Sequence, residues 1–85
     1  MYIYILDPDH GWLEVPEQDV VDAGVADRIS RYSYRDYEHH LWYLEEDCDM
    51  PLFLAAAGLT EQDFTEAYHG ADCFVRRLPH VGATA

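Results

Sequence analysis

The spacing of apolar positions along the chain predicts short elements of both kinds. Residues 2–6, YIYIL, are β-branched and aromatic throughout, which is typical of a buried strand. The Asp-Pro pair and the glycine of DPDHG, residues 7–11, predict a turn, and WLEV continues as a second extended piece. Pro16 can begin a helix, because proline lacks a backbone N–H and the N–H groups of the first helical turn make no hydrogen bond within the helix. Gly24 is the predicted end of that helix.

The middle of the chain alternates between apolar and polar residues. In SRYSYRDY, residues 30–37, tyrosines alternate with serine and arginine, and this period of two predicts a strand. HLWYLEE, residues 40–46, is predicted to be a strand of the same kind, with a hairpin turn between the two. Asp49 is a suitable N-cap for a helix over residues 50–57, and Gly58 ends it.

The last third of the chain predicts one more helix and one more strand. Thr60 and Asp63 have the spacing of a capping box, which predicts a helix over residues 61–69. CFVRRL, residues 73–78, is predicted as a final strand. PHVGATA, residues 79–85, is small and polar enough to be a loose tail.

This order of elements predicts a single α+β domain over residues 1–78, followed by the loose tail over residues 79–85. We expect a small antiparallel sheet of about four strands with two or three short helices packed on one face. The 85 residues suffice for one core, although a domain of this size buries only roughly 60 % of the surface of its unfolded chain.

The charge balance narrows the possible partners. Seventeen carboxylates face five arginines and no lysine, giving a formal net charge of −12. Such a chain is not expected to bind nucleic acid directly, since that needs a basic surface. The charge favours a basic partner, a cationic ligand or a metal instead, and the alternative is an acidic solvated surface with no partner. Thirteen of the carboxylates and three of the arginines lie within residues 1–50, so the acidity is concentrated there.

The chain also gives indications of its compartment. The first residues lack the basic region and apolar run of a signal peptide, and no apolar run approaches the length of a membrane span. We therefore expect a cytoplasmic protein with no membrane partner. Cys48 and Cys73 are interpreted as free thiols in that reducing compartment.

No motif of a known catalytic class is present: GxSxG, a P-loop, a dinucleotide fingerprint and HExxH are all missing from the sequence. Cys48 with His39 or His40 imitates a thiol dyad, but the flanking Asp47 and Asp49 should raise the thiol pKa and weaken it as a nucleophile. We expect neither catalysis nor a cofactor. A metal site at Asp47, Cys48 and Asp49 with a histidine of the turn, or zinc at the two histidines and Cys48, is an alternative that no ligand pair of standard spacing supports.

The carboxylates themselves are the candidate binding surface. Residues two apart on a strand project the same way about 6.6 Å apart, which is close to the spacing of successive phosphates along a nucleic-acid strand. A groove that binds nucleic acid is lined with lysine and arginine and would accept such anions. The predicted surface comprises Asp36, Glu38, Glu45, Glu46, Asp47, Asp49, Asp7, Asp9 and Glu14.

The segments HGWLEV (10–15), YSY (32–34) and YLEEDCD (43–49), in this order and spacing, resemble a group of small acidic proteins encoded by bacteriophages and prophages. The resemblance covers about residues 2–58. The chain departs from the group at DYEHH, which stands where a tighter turn containing glycine is usual.

The resemblance implies a setting more than a reaction. Small acidic phage proteins include inhibitors of host defence, and some anti-restriction and anti-CRISPR proteins occupy the nucleic-acid channel of a defence complex. The implied function is therefore an anti-CRISPR type of inhibitor in the host cytoplasm, whose partner is the basic nucleic-acid-binding surface of a defence nucleoprotein. The alternative is a non-catalytic phage interaction or structural protein that binds a host protein without mimicry, or that forms a homodimer through a sheet edge or through apolar faces of residues 50–69. The sequence leaves open whether the protein is a monomer or a homodimer.

Overall fold

A computed structural model describes residues 1–82, in which five strands form one mixed sheet. The strands lie in the order β3-β4-β2-β1-β5, and all neighbours are antiparallel except β1 and β5, which run parallel. The strands are β1 (Tyr2–Leu6), β2 (Gly11–Pro16), β3 (Tyr34–Asp36), β4 (Leu41–Glu45) and β5 (Phe64–Tyr68). The predicted α+β class is confirmed, with one strand more than expected and with a mixed sheet in place of an antiparallel one.

Two α-helices lie on one face of the sheet, as predicted. They are α1 (Glu17–Asp22) and α2 (Asp49–Ala57). Pro16 directly precedes α1, and α2 ends at Gly58, whose φ of 69° is the left-handed conformation that glycine adopts most readily. Neither helix, nor any shorter helical turn of residues 1–82, has the length and apolar character needed to cross a membrane.

The main core lies between this face and the helices. Alternate residues of β2 and β4 point inward, and Leu13, Val15 and Leu44 are completely buried. Val20 of α1 and Phe53 of α2 pack on them. Each such side chain contributes about 1.5–3 kcal/mol by leaving water, so this layer supplies much of the stability of the domain.

The opposite face is covered by the end of the chain. A 3-10 turn, Phe74–Arg77, places Val75 and the preceding Cys73 against Trp12 and Tyr43. The strand predicted over residues 73–78 is therefore wrong. A strand there would need a free sheet edge beside it, whereas the segment lies across the sheet and covers large aromatic side chains.

The helix predicted over residues 61–69 is also wrong, although its capping box forms. Thr60 and Asp63 cap only a 3-10 turn, Glu61–Asp63, after which the chain extends as β5. Pairing with β1 and the edge-to-face contact of Phe64 with Tyr4, with ring centroids 5.5 Å apart, outweigh the local helical spacing.

Residues 79–82, expected to begin a loose tail, lie along the outer edge of β3. Arg35 N donates to Pro79 O over 2.9 Å, and Val81 N donates to Ser33 O over 2.8 Å. Val81 is buried in the main core. These bonds close the β3 edge of the sheet; residues 83–85 of the predicted tail lie outside the described residues.

Candidate interaction surface

Most of the predicted acidic residues are divided between two opposite ends of the sheet. Strand β4 runs from one end to the other: Leu41 pairs with Asp36 at one end, and Glu45 pairs with Trp12 at the other. These ends are about 13 Å apart by the rise of an antiparallel strand. We call them the turn end, which carries the β3–β4 turn, and the exit end, where the chain leaves β4. The nine carboxylates of the predicted surface therefore do not lie side by side.

The exit end carries the densest group of carboxylates. Glu45, Glu46 and Asp47, named here the acidic trio, offer side-chain oxygens that all lie within 4.8 Å of one another. Glu46 N donates to Gly11 O over 3.1 Å, which brings the trio beside the β1–β2 turn and its exposed Asp9. Four of the predicted surface residues are thus gathered at one end.

Neutral donors and one histidine hold two members of the trio. Glu45 Oε2 accepts from the backbone N–H groups of Asp47 and Cys48, both at 2.9 Å. Glu46 Oε2 accepts from the Tyr4 hydroxyl at 2.8 Å, and its other oxygen lies 3.6 Å from His10 Nδ1. The carboxylates are therefore oriented by hydrogen bonds that leave most of their negative charge in place.

Tyr4 reaches the trio because Gly11 has no side chain. A Cβ at Gly11 would lie 2.6 Å from the Tyr4 ring and hydroxyl, closer than any real contact. Burial raises the pKa of Tyr4, and so do the hydrogen bond to Glu46 and the nearby charges of Glu66 and Asp47. Glu66 is thus a further carboxylate near Tyr4, opposite which it lies in the β1–β5 register. Sequence reasoning missed it because β5 was predicted to be helical.

Asp7 does not belong to the surface. Only 7 % of the surface of Asp7 is exposed. Its carboxylate accepts hydrogen bonds from the backbone N–H groups of Asp9 and His10 and from Arg76 Nε, the last at 2.5 Å. The Arg76 hydrogen bond, helped by the two backbone donors, lowers the pKa of Asp7 to about 2. Asp7 forms an internal ion pair with Arg76 that stabilises the β1–β2 turn, so the assignment of Asp7 to the binding surface is wrong.

Asp49 is buried as well, with 2 % of its surface exposed. Its carboxylate accepts from Ser30 N at 3.0 Å, from Ser30 Oγ at 2.7 Å and from Ser33 Oγ at 2.5 Å. The N-cap position of α2 is Cys48, which makes no capping bond. Asp49 therefore neither caps the helix nor faces a partner: it ties the segment before β3 to the start of α2.

Glu14 lies at neither end. It is in the middle of β2, and the Tyr43 hydroxyl donates to its Oε1 at 2.9 Å. Both side chains are on the face that the Phe74–Arg77 turn partly covers. Glu14 is half-buried and separated from the acidic trio.

At the turn end, Glu17 is neutralised by an arginine. It accepts from the Arg35 guanidinium in a salt bridge and from Trp42 Nε1 at 3.1 Å, and His40 Nδ1 lies 3.7 Å from its other oxygen. The Trp42 hydrogen bond and the charges of Arg35 and His40 lower the pKa of Glu17. No local sequence pattern indicates this cluster, because its members are up to 25 residues apart.

Asp36 is also paired at the turn end. Its Oδ2 lies 2.8 Å from His39 Nδ1, and this hydrogen bond lowers the pKa of Asp36 and raises that of His39. Glu38 beside them is exposed. Ligand atoms of Asp36, Glu38 and His39 approach within 4.8 Å, as those of the trio do, so each set has the geometry to contact one cation.

The zinc alternative is not compatible with this arrangement. Cys48 lies at the exit end, whereas His39 and His40 lie at the turn end, and Asp49 turns inward. Desolvation and the charges of Glu45 and Asp49 raise the pKa of the Cys48 thiol. A thiol with a raised pKa is a weak nucleophile at neutral pH, which agrees with the argument made from the sequence.

A small aromatic cleft of about 170 Å³ adjoins the trio. Tyr34 stacks on His80 in its wall, with ring centroids 4.2 Å apart, and the Arg76 guanidinium lies 5.2 Å above the Trp12 ring. The lining residues are His10, Trp12, Tyr32, Tyr34, Glu45, Arg76 and His80. The cleft places apolar rings and one cation directly beside a carboxylate of the trio.

Comparison with protein-family models, curated proteins and solved structures found no match to this chain.

Proposed function

We propose that this protein is a non-catalytic inhibitor of a host defence nucleoprotein, of the anti-CRISPR type. It occupies a basic nucleic-acid-binding surface with its carboxylates and so prevents binding of target DNA. The observation that carries the proposal is the acidic trio, three adjacent carboxylates that no arginine of residues 1–82 neutralises. The phage setting rests on the resemblance of the HGWLEV, YSY and YLEEDCD segments.

The charge of the whole molecule supports this proposal. Among the described residues, only Glu17 and Asp7 form salt bridges with arginine, although the chain holds seventeen carboxylates. Most of the negative charge therefore remains available to a partner. A field of this size steers association with a cationic surface from a distance.

The fixation of the trio supports it further. Glu45 and Glu46 are oriented by the backbone, by Tyr4 and by His10, so little side-chain entropy is lost when a partner binds. Each carboxylate can accept a two-pronged hydrogen bond from an arginine, the residue that commonly lines phosphate-binding grooves. The trio thus offers a compact group of oriented anions that the cationic side chains of a nucleic-acid-binding groove can contact.

The test compares two variants of equal net charge. One carries Glu45→Gln, Glu46→Gln and Asp47→Asn, which removes the charges of the trio and keeps oxygens that can accept hydrogen bonds. The control carries three neutral substitutions at exposed carboxylates that make no side-chain bond among the described residues: Asp27→Asn, Glu61→Gln and Asp72→Asn. Both variants carry three fewer charges than the native chain.

Target-DNA binding by purified CRISPR effector complexes is measured by gel shift as each protein is added. The native chain and the control variant should displace DNA from the sensitive complex, the trio variant should not, and the effect should weaken as salt rises. Equal inhibition by both variants would show that the trio is not the contact.

A homodimer is the second candidate function; the open edge of β5 offers backbone groups for it, although the carboxylate of Glu66 on that edge opposes the pairing of two copies. Of the two dimer modes expected from the sequence, the apolar faces of residues 50–69 do not form one surface, because α2 packs on the sheet and β5 is a strand within it. Only the sheet-edge mode remains. Sedimentation equilibrium of the native chain distinguishes a monomer from a dimer directly.

A further inference from the structure

We propose that the outer edge of β5 is a docking site for an extended, positively charged segment of a partner protein, which adds to the sheet as a sixth strand. This site is separate from the acidic trio, and the proposal does not depend on the inhibitor function. It rests on four features: which edge is open, where its backbone groups point, which side chains flank it and which charges surround it.

The two edges of the sheet are treated differently by the fold. The outer edge of β3 is closed by residues 79–81, which donate and accept backbone hydrogen bonds there and form a bridge between Tyr34 and His80. Strand β5 is last in the sheet order and has no strand beyond it in residues 1–82. The described part of the molecule therefore has one open strand edge, five residues long.

The direction of the backbone groups follows from the parallel register. His69 N donates to Leu6 O at 2.8 Å, and Leu6 pairs with Tyr68. In a parallel ladder, the residues on either side of a paired position make the bonds, so Thr65 and Ala67 direct their N–H and C=O groups toward β1. Glu66 and Tyr68 direct theirs outward, where an added strand would bond to them.

The side chains along this edge offer contacts to alternate residues of an added strand. Tyr68 is 69 % exposed, although it is aromatic and large. On the opposite face, Ile3 is 39 % exposed and lies next to Thr65 through the β1–β5 register. In β-strand addition, main-chain bonds supply affinity and such flanking side chains supply specificity.

The charges select a basic segment rather than a second copy of this chain. Glu61, Asp63 and Glu66 lie in or directly before β5, and the chain as a whole carries −12. An antiparallel pair of β5 strands centred on Glu66 would place two glutamates directly opposite each other, which is destabilising. A lysine or arginine in that position would instead form a favourable cross-strand pair.

The test uses a synthetic ten-residue peptide of alternating lysine and valine with blocked termini. The peptide is titrated into ¹⁵N-labelled protein that carries the three neutral substitutions of the trio. These substitutions remove the competing electrostatic site. We expect the amides of Glu66 and Tyr68 to shift and to gain protection from hydrogen exchange, while the amides of Thr65 and Ala67 are already protected by β1. This protection is a measurement that needs no substitution in β5.

Two variants of one residue separate hydrogen bonding from charge. Glu66→Pro removes an outward N–H that β1 does not use, and edge strands tolerate proline in that orientation. Glu66→Gln keeps the N–H and removes the charge. Peptide affinity should fall about tenfold with proline, which loses both the main-chain bond and the ion pair, and about threefold with glutamine, which loses the ion pair alone, so the difference between the variants measures the bond.

Three results would overturn the proposal. The first is that the amides of Glu66 and Tyr68 gain no protection when the peptide is added. The second is that the proline and glutamine variants bind the peptide equally well while the amides of Ala67 and His69 show that the β1–β5 ladder is intact. The third is that the β5 amides shift with protein concentration alone, which would assign the edge to a second copy. Loss of docking on β5 with DNA displacement by the trio intact would reject this site and leave the inhibitor proposal standing.

Discussion

Both ends of the sheet carry carboxylates, but the hydrogen-bond partners of these carboxylates differ between the ends. At the turn end, the carboxylate of Glu17 is paired with Arg35 and that of Asp36 with His39, so these two negative charges are largely neutralised. At the exit end, the acidic trio is held mainly by backbone N–H groups and a tyrosine hydroxyl. Cationic partners neutralise a carboxylate, whereas neutral donors only orient it.

This difference separates carboxylates that stabilise the fold from carboxylates whose charge remains available to a partner. The ion pair of Glu17 with Arg35 helps to join α1 to β3, because Glu17 is the first residue of α1 and Arg35 lies in β3. The hydrogen bond from Trp42 to Glu17 joins α1 to β4 in the same way. At the exit end, the ion pair of Asp7 with Arg76 is the cross-link, whereas the acidic trio keeps its negative charge. Sequence composition alone cannot tell the two kinds apart, but substitutions and pH can.

The largest effect is expected from Asp49→Ala, because Asp49 anchors the segment that follows the trio. The change leaves the buried Ser30 N–H and the hydroxyls of Ser30 and Ser33 without their acceptor, and should lower the free energy of unfolding by about 3 kcal/mol. Urea denaturation measures this loss. Asp49→Asn keeps one acceptor oxygen and should cost less. Hydrogen exchange should accelerate at residues 46–48 before residues 37–40; equal acceleration would show that Asp49 does not act on the exit end in particular.

The next effect is a loss of stability in acid through Asp7. Its folded pKa, about 2, is below the ordinary value of 3.8, so its contribution is complete above pH 4 and is lost as the pH falls toward 2. The size is on the order of 2 kcal/mol. Urea midpoints between pH 5 and pH 2 measure it. Arg76→Met should remove most of this pH dependence, and an unchanged acid profile in that variant would contradict the assigned cause.

Arg35→Met tests the cross-link at the turn end. The variant loses the salt bridge to Glu17 and the stacking of the guanidinium on Trp42 and Tyr37, at 4.6 and 4.4 Å from the ring centroids. Because the pair is partly exposed, we expect a loss of about 1 kcal/mol in thermal or urea unfolding. Arg77→Met is the matched control, since Arg77 forms no salt bridge among the described residues, and it should change stability by only a few tenths. Equal effects would remove the contrast.

The smallest effects are expected to have opposite signs at the two ends. Asp47→Asn relieves repulsion within the trio and should stabilise the fold by a few tenths of a kcal/mol, whereas Asp36→Asn loses the pairing with His39 and should destabilise it by a similar amount. High salt should shrink both changes, because both are electrostatic and near the surface. Differential scanning calorimetry of the two variants at two salt concentrations checks the signs.

The elements that depend on local signals could be predicted from the sequence. Strands β1, β2 and β4, both helices and the glycine that ends α2 follow from nearby residues, and the structure contains each of them. Strand β5 could not be foreseen, since its conformation comes from pairing with β1, which is more than 60 residues away along the chain. The same limit applies to the site. That Glu45, Glu46 and Asp47 are close together is evident from their order, but the burial of Asp7 and Asp49 depends on Arg76, Ser30 and Ser33.

The pairing of residues 79–81 with β3 affects how the chain can be shortened. A fragment that stops at Leu78 would retain all five strands and both helices, yet the outer N–H and C=O groups of β3 would lose their partners. Such a molecule would expose strand edges on both flanks, and a two-edged sheet can join to others head to tail without limit. We therefore expect residues 79–81 to prevent association of molecules through the β3 edge. An affinity tag is better fused after these residues than substituted for them.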